Sequence, residues 1–222
     1  MQPSVRNERG FTLVEIGVVI AIIAALLALA YPLMRLTRPR AEITGLATEL
    51  RAIVHRARQE ALARGRDVSV LFYPDAVTAT GTGLILVVAD DTGGFMAGAV
   101  PAGNLDFCTM TPGLPAPNLE RIYLPSGVTI AAPPRTPSFP FPFSLVLAPT
   151  TGCSFCNGTV PGGGSRGAIC FDGRGRATFY GNCGLPGDYP NGGSIALTSN
   201  VLNGSRILAV LPSGAVKSVT LD

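Results

Sequence analysis

With 222 residues, a formal charge of +3 and 14% charged residues, the chain is long enough for one modest globular domain beside a hydrophobic segment. That charge is too small to imply nucleic acid by itself, and a single histidine, His55, gives little support to a metal site or a histidine-based catalytic group. Abundant glycine (27) and proline (19) argue for turns and short strands outside any long helix, and against a helical bundle.

In chain order, residues 1–10 are polar and carry Arg6 and Arg9, and residues 11–34 form an apolar run. At about 1.5 Å per residue, 11–34 as a helix spans roughly 36 Å, against a hydrocarbon core of roughly 30 Å. One carboxylate, Glu15, interrupts the run, and a glutamate in such a place needs a partner or a task. A secretory signal is cut after its apolar region, whereas here the glycine–aromatic junction precedes it. Gly10-Phe11-Thr12-Leu13-Val14-Glu15 is similar to the processing site of type IV pilins and type II secretion pseudopilins.

That resemblance implies a leader at 1–10, a transmembrane and polymerisation helix at 11–34, and cleavage between Gly10 and Phe11 by a prepilin peptidase, with methylation of the Phe11 amine. It also implies that Glu15 pairs with the terminal amine of a neighbouring subunit, and that Pro32 is the proline that bends the helix in many family members. The expected location is the bacterial inner membrane, single-pass, with the C-terminal domain in the periplasm until a filament takes up the subunit. Arg35, Arg38 and Arg40 follow the span on the outer side, against the positive-inside preference.

Residues 35–66 read as an amphipathic continuation of the helix. Ile43, Leu46, Leu50, Ile53, Val54, Ala57 and Ala61 recur at three- and four-residue spacing, Pro39 threatens a local break, and Gly65 marks the end. The stretch 56–68 is similar to the helix-to-strand junction of GspH/FimT-type pseudopilins and minor pilins. Strand signals follow at 68–73, 84–89, 121–124, 128–131 and 145–147, with Tyr73-Pro74-Asp75 as a turn. Hairpins are expected at 168–180 and 206–221. A long helix followed only by strands predicts an α+β, pilin-like fold, with residues 67–222 as a β-rich domain whose antiparallel sheet packs on the helix.

The middle of the chain alternates proline and phenylalanine at Phe139-Pro140-Phe141-Pro142-Phe143, which cannot sustain a central strand because proline supplies no ladder donor. Such a stretch either packs its rings onto the sheet or presents them to a neighbouring subunit. Cys153, Cys156, Cys170 and Cys183 cluster, while Cys108 stands apart. In an oxidising compartment they read as two disulfides with three pairings open; zinc is a lesser reading because Cys170 and Cys183 lack a second close knuckle.

Gly163-Gly164-Ser165-Arg166-Gly167 fits a hydrolase elbow by pattern only, since a glycine run precedes it, a strand follows, and no histidine lies downstream. No catalytic residue, metal or cofactor is expected, and the chain reads as a structural subunit rather than an enzyme. Two roles fit the resemblance: a minor pseudopilin supporting type II secretion, or a FimT/FimU-like minor pilin of a type IV pilus. The partners expected are prepilin peptidase, other pilin or pseudopilin subunits and the inner membrane. DNA is a weaker partner, with Arg174 and Arg176 in a glycine-flanked turn as its candidate contacts; Arg166, Arg206 and Lys217 are further basic positions.

Overall fold

The computed structural model describes residues 13–90, 95–96, 107, 118–157, 164–181, 187–201 and 204–221; the side chains of 29–39 and 118–119 also fall outside the description. The order is one helix, α1 (Leu13–Arg64), then β1 (Val68–Val77), β2 (Thr82–Ala89), β3 (Asn118–Tyr123) and β4 (Val128–Ile130). Then come β5 (Gly167–Phe171), β6 (Ala177–Tyr180), β7 (Gly193–Ser199), β8 (Ser205–Val210) and β9 (Val216–Leu221). The chain is α+β. Two compact units divide it at Met1–Arg38 and Pro39–Asp222.

Helix α1 continues through Pro32 and Pro39, so of the local bend or break expected at Pro39 the break does not occur. A proline removes one intrahelical bond, but preceding and following turns can carry the helix across it. The helix stops where Gly65 takes the left-handed conformation at φ 64°, a conformation that glycine adopts without a Cβ penalty. An Arg64–Glu60 ion pair at 2.6 Å lies one turn apart in that last stretch.

Within the second unit, the strands form two antiparallel sheets rather than the single sheet expected. Their orders are β3-β2-β1-β5-β6 and β4-β7-β8-β9. The predicted helical stripe, joined by Ala47, is buried against both of them. Leu50 and Val54 are fully enclosed with Val68, Val70, Phe72 and Ile169 of the first sheet and Ile195, Leu197 and Val210 of the second. The ion pair of Arg56 with Glu120 at 2.9 Å ties the helix to β3.

The first sheet is buried on both faces. Val68, Val70 and Phe72 face the helix, while Leu71 and Tyr73 pack with Phe95, Met96 and Phe107 on the reverse. That is why 68–73 reads as an almost unbroken apolar run instead of alternating. The turn expected at Tyr73-Pro74-Asp75 is a bulge: β1 runs on to Val77, and its register to β2 shifts between Tyr73 and Val77. β7 had no counterpart in the sequence reading, because buried Gly193, Ser194 and Ala196 give it neither alternation nor a β-branched run.

The segment expected as a strand at 145–147 is a loop. Together with the proline-rich stretch it covers the outer face of the second sheet, where Phe139, Phe143 and Val146 pack on Ala196, Ile207 and Ala209. Small residues on β7 and β8 leave room for the rings. Phe141 does not join them.

Within the shared core, an aromatic group centres on Phe155. Its ring is 5.3 Å from that of Phe179, 5.9 Å from Phe72 and 6.4 Å from Tyr189, all tilted or edge-on. Close backbone approach surrounds it: a Cβ at Gly181 would come within 2.3 Å of the Phe155 carbonyl oxygen. Phe155→Ala is expected to cost about 3–5 kcal/mol, observed as a fall of about 10 °C in melting temperature. A shift of only a degree or two would show that Phe155 is not a keystone.

Candidate assembly surface

Glu15 lies in the first turn of α1, where a carboxylate also complements the positive end of the helix dipole. Around it, every described side chain from 13 to 28 is exposed. Leu13 (88%), Val14 (74%), Ile20 (62%) and Leu27 (64%) exemplify a helix that is apolar on all sides. Gly17 adds no bulk, and a Cβ there would meet nothing within 4 Å. Such a surface suits lipid or the helices of neighbours, not water. Among the described residues no helix is long and apolar enough to cross a membrane; the expected span runs on into 29–34, whose side chains are not described. Gly10 and Phe11 lie outside the described residues, as does the side chain of Pro32.

The basic positions lie on different elements. Arg174 and Arg176 occupy the β5–β6 turn, where Asp172 organises both: its Oδ1 accepts the backbone N–H of Arg174 (3.0 Å) and Arg176 (2.9 Å). The guanidinium of Arg176 pairs with Oδ2 of the same residue at 2.8 Å. Burial works against ionisation of Asp172, but hydrogen bonds from Arg176 and the Arg174 backbone, with the charge of Arg176, hold its carboxyl below the usual range. Arg166 is 3% exposed with its guanidinium carbon 4.8 Å above the Phe107 ring, so it is not a surface phosphate contact. Arg206 donates to Thr44 Oγ1 at 3.1 Å. His55, on α1, has its imidazole pKa lowered by partial burial and by Arg51 and Arg58. Among the described residues, no group of three His, Cys, Asp or Glu side chains is placed to hold a metal ion.

Arg58 has a structural task. Its Nε donates to the Gly175 carbonyl at 3.0 Å, and a Cβ on Gly214 would lie 2.6 Å from the same nitrogen. One helix side chain thus touches the turns that close a hairpin in each sheet, and Gly175 (φ 74°) and Gly214 (φ 77°) leave it room.

The described cysteines sort by sheet face. Cys153 and Cys156 are bonded to each other, closing a loop around Phe155. Cys170 is a free, buried thiol, which corrects its expected place in a second disulfide. Alternation along β5 sends Ile169 and Phe171 toward the helix side, where Cys153 sits, and Cys170 to the reverse face with Leu71 and Phe107. Cys108 and Cys183 lie outside the described residues.

Residues 5–31 match the family described as the prokaryotic N-terminal methylation motif. No curated protein matches the chain. Among solved structures, the type IV minor pilin FimU of Pseudomonas aeruginosa (strain PAO1) is similar at 15% identity and a TM-score of 0.37. That match covers 80% of this chain and 88% of the FimU chain.

Burial pushes the Cys170 thiol up to about 12, with the added repulsion of Asp67, Asp90 and Asp172. It therefore stays protonated at pH 8.5, and iodoacetamide should label it only after denaturation. Peptide mapping reads the outcome separately for each cysteine; rapid native labelling at Cys170 would contradict its enclosure.

Proposed function

We propose that this type IV pilin-like protein is a minor filament subunit, of the pseudopilin kind that supports type II protein secretion, and acts as an assembly element rather than an enzyme. The observation that carries this reading is the helix segment 13–28: exposed, apolar on every side, and interrupted by Glu15 alone. The methylation-motif match over 5–31 supports processing just before it.

On this reading a prepilin peptidase cuts between Gly10 and Phe11, and the helix waits in the inner membrane with the β-rich domain outside. Entry into a filament exchanges lipid for neighbouring helices, with little change in hydrophobic burial. Glu15 is the selective group. A carboxylate in an apolar setting favours a cation beside it, and the methylated amine of a neighbour's Phe11 supplies one. Correctly placed subunits are therefore favoured over displaced ones.

Intact-mass and peptide analysis of the membrane-extracted protein should find an N-terminus at methylated Phe11; residues 1–10 retained in cells with active peptidase would sink the reading. Glu15→Val should leave cleavage and membrane retention intact while reducing filament incorporation at least about tenfold, as expected from losing one buried charge pair. Equal incorporation of both forms would remove Glu15 from the mechanism. Deleting the gene should halt export of secreted proteins while leaving pili; loss of pili with export intact would assign the subunit to a type IV pilus instead.

A further inference from the structure

The outer strand β3 is bordered by a hollow on each of its faces. It ends the first sheet, and among the described residues no strand pairs with its open side. The Leu124 N–H donates to the Gly83 carbonyl at 3.3 Å, and Tyr123 lies opposite Leu84. Antiparallel ladders alternate bonded and unbonded pairs, so Tyr123 turns its own N–H and C=O away from β2. Main-chain groups directed outward along a strand are a template for another extended chain.

The two faces differ in chemistry. On the helix side a groove of about 520 Å³ lies between α1 and β3, with Glu42, Leu46 and Glu49 on the helix and Glu120 and Ile122 on the strand. Leu46 and Ile122 are buried, and Gly45 adds no side chain to fill the groove. With Glu120 offset by Arg56, Glu42 and Glu49 against the single guanidinium of Arg121 leave the groove acidic. On the reverse side, a hollow of about 370 Å³ is lined by Ala76, Val77, Leu84, Arg121 and Tyr123 among others. Val77 is 88% exposed and Leu84 is buried, so this hollow offers apolar surface. Arg121 donates to the Tyr123 hydroxyl at 3.3 Å, and a guanidinium beside a tyrosine ring also suits an aromatic neighbour.

We propose that β3 receives an extended segment of a partner protein as a further strand, with alternate side chains of that segment basic and apolar. Side chains of a strand point to opposite faces in turn. Those on the helix side meet Glu42 and Glu49 and call for lysine or arginine. Those on the reverse side enter the hollow beside Val77 and Leu84 and call for an aliphatic or aromatic group. Main-chain hydrogen bonds supply the affinity, and the two unlike faces supply the choice of sequence. Lipid has no main-chain donors to offer the strand. Every residue of the contact belongs to the second unit, Pro39–Asp222, so it stands apart from processing at Phe11 and from the filament reading.

The probe is a fluorescent hexapeptide, Lys-Val-Lys-Phe-Lys-Val, titrated by anisotropy against the full-length chain in detergent micelles, with empty micelles as the blank. Micromolar binding is expected, with hydrogen exchange slowed at 121–123. N-methylation of one alternate set of peptide amides should weaken binding at least about tenfold, as for the loss of two main-chain hydrogen bonds, while the other set is tolerated. The block order Lys-Lys-Lys-Val-Phe-Val, equal in charge and composition, should also bind more weakly. Glu49→Lys, on the exposed side of the helix, should weaken the alternating peptide at least about tenfold by placing a like charge opposite its cations, with melting temperature unchanged. Failure of the alternating peptide to bind would overturn the proposal. So would equal binding of both orders, tolerance of both methylated sets, indifference to Glu49→Lys, or protection elsewhere. Self-association that protects 121–123 before peptide is added would give the strand to a second copy and overturn it too. Retention of residues 1–10 in cells would remove the filament reading and leave this contact standing.

Discussion

The stripe from Ile43 to Ala61 lies on one side of α1, and both sheets close over it. Leu50, Val54 and Ala61 have no solvent exposure, and their neighbours come from strands as far apart in sequence as Val68 and Val210. Because a single helix face supplies the shared core, the two sheets need not pair edge to edge. Arg58 adds a polar tie at the same junction, reaching the Gly175 carbonyl beside Gly214. Strand order, the place of the Phe155 cluster and the covered outer faces all depend on that one packing relation.

One helix therefore meets two different environments. From 43 onward it is amphipathic and satisfied within its own chain; from 13 to 28 it is apolar around its whole circumference and exposed. A helix that is hydrophobic all round has to find burial outside its own domain. The β-rich domain makes the helix from Ile43 to Ala61 a built-in part of its core. On the filament reading proposed above, Glu15 sets position and the apolar surface supplies affinity, a division that follows from the directionality of charge and the lack of direction in hydrophobic contact.

The proline-rich segment and the cysteines show how side-chain alternation divides roles among near neighbours. Phe139 and Phe143 fill space above Ala196 and Ala209, while Phe141 between them points to solvent. Cys170 is four strand residues or fewer from every other residue of β5, yet it shares no face with Cys153. Its thiol sits in an apolar layer, and the Cys153–Cys156 bond instead closes a short local loop around the aromatic centre.

The amino-acid sequence by itself determined the helix, its stripe, its glycine end and most strands, because those depend on local periodicity and on turn chemistry. It also determined the processing motif and Glu15, since one carboxylate in an apolar run is conspicuous without any structure. Tertiary structure alone decided that there are two sheets, that β7 exists, that 145–147 is a loop, and that Cys170 is unpaired. It also decided that Arg166 is buried against the Phe107 ring and that Phe141 is presented to solvent. Each of these turns on which distant strand or face lies opposite, and pairing between remote segments leaves no local period to read.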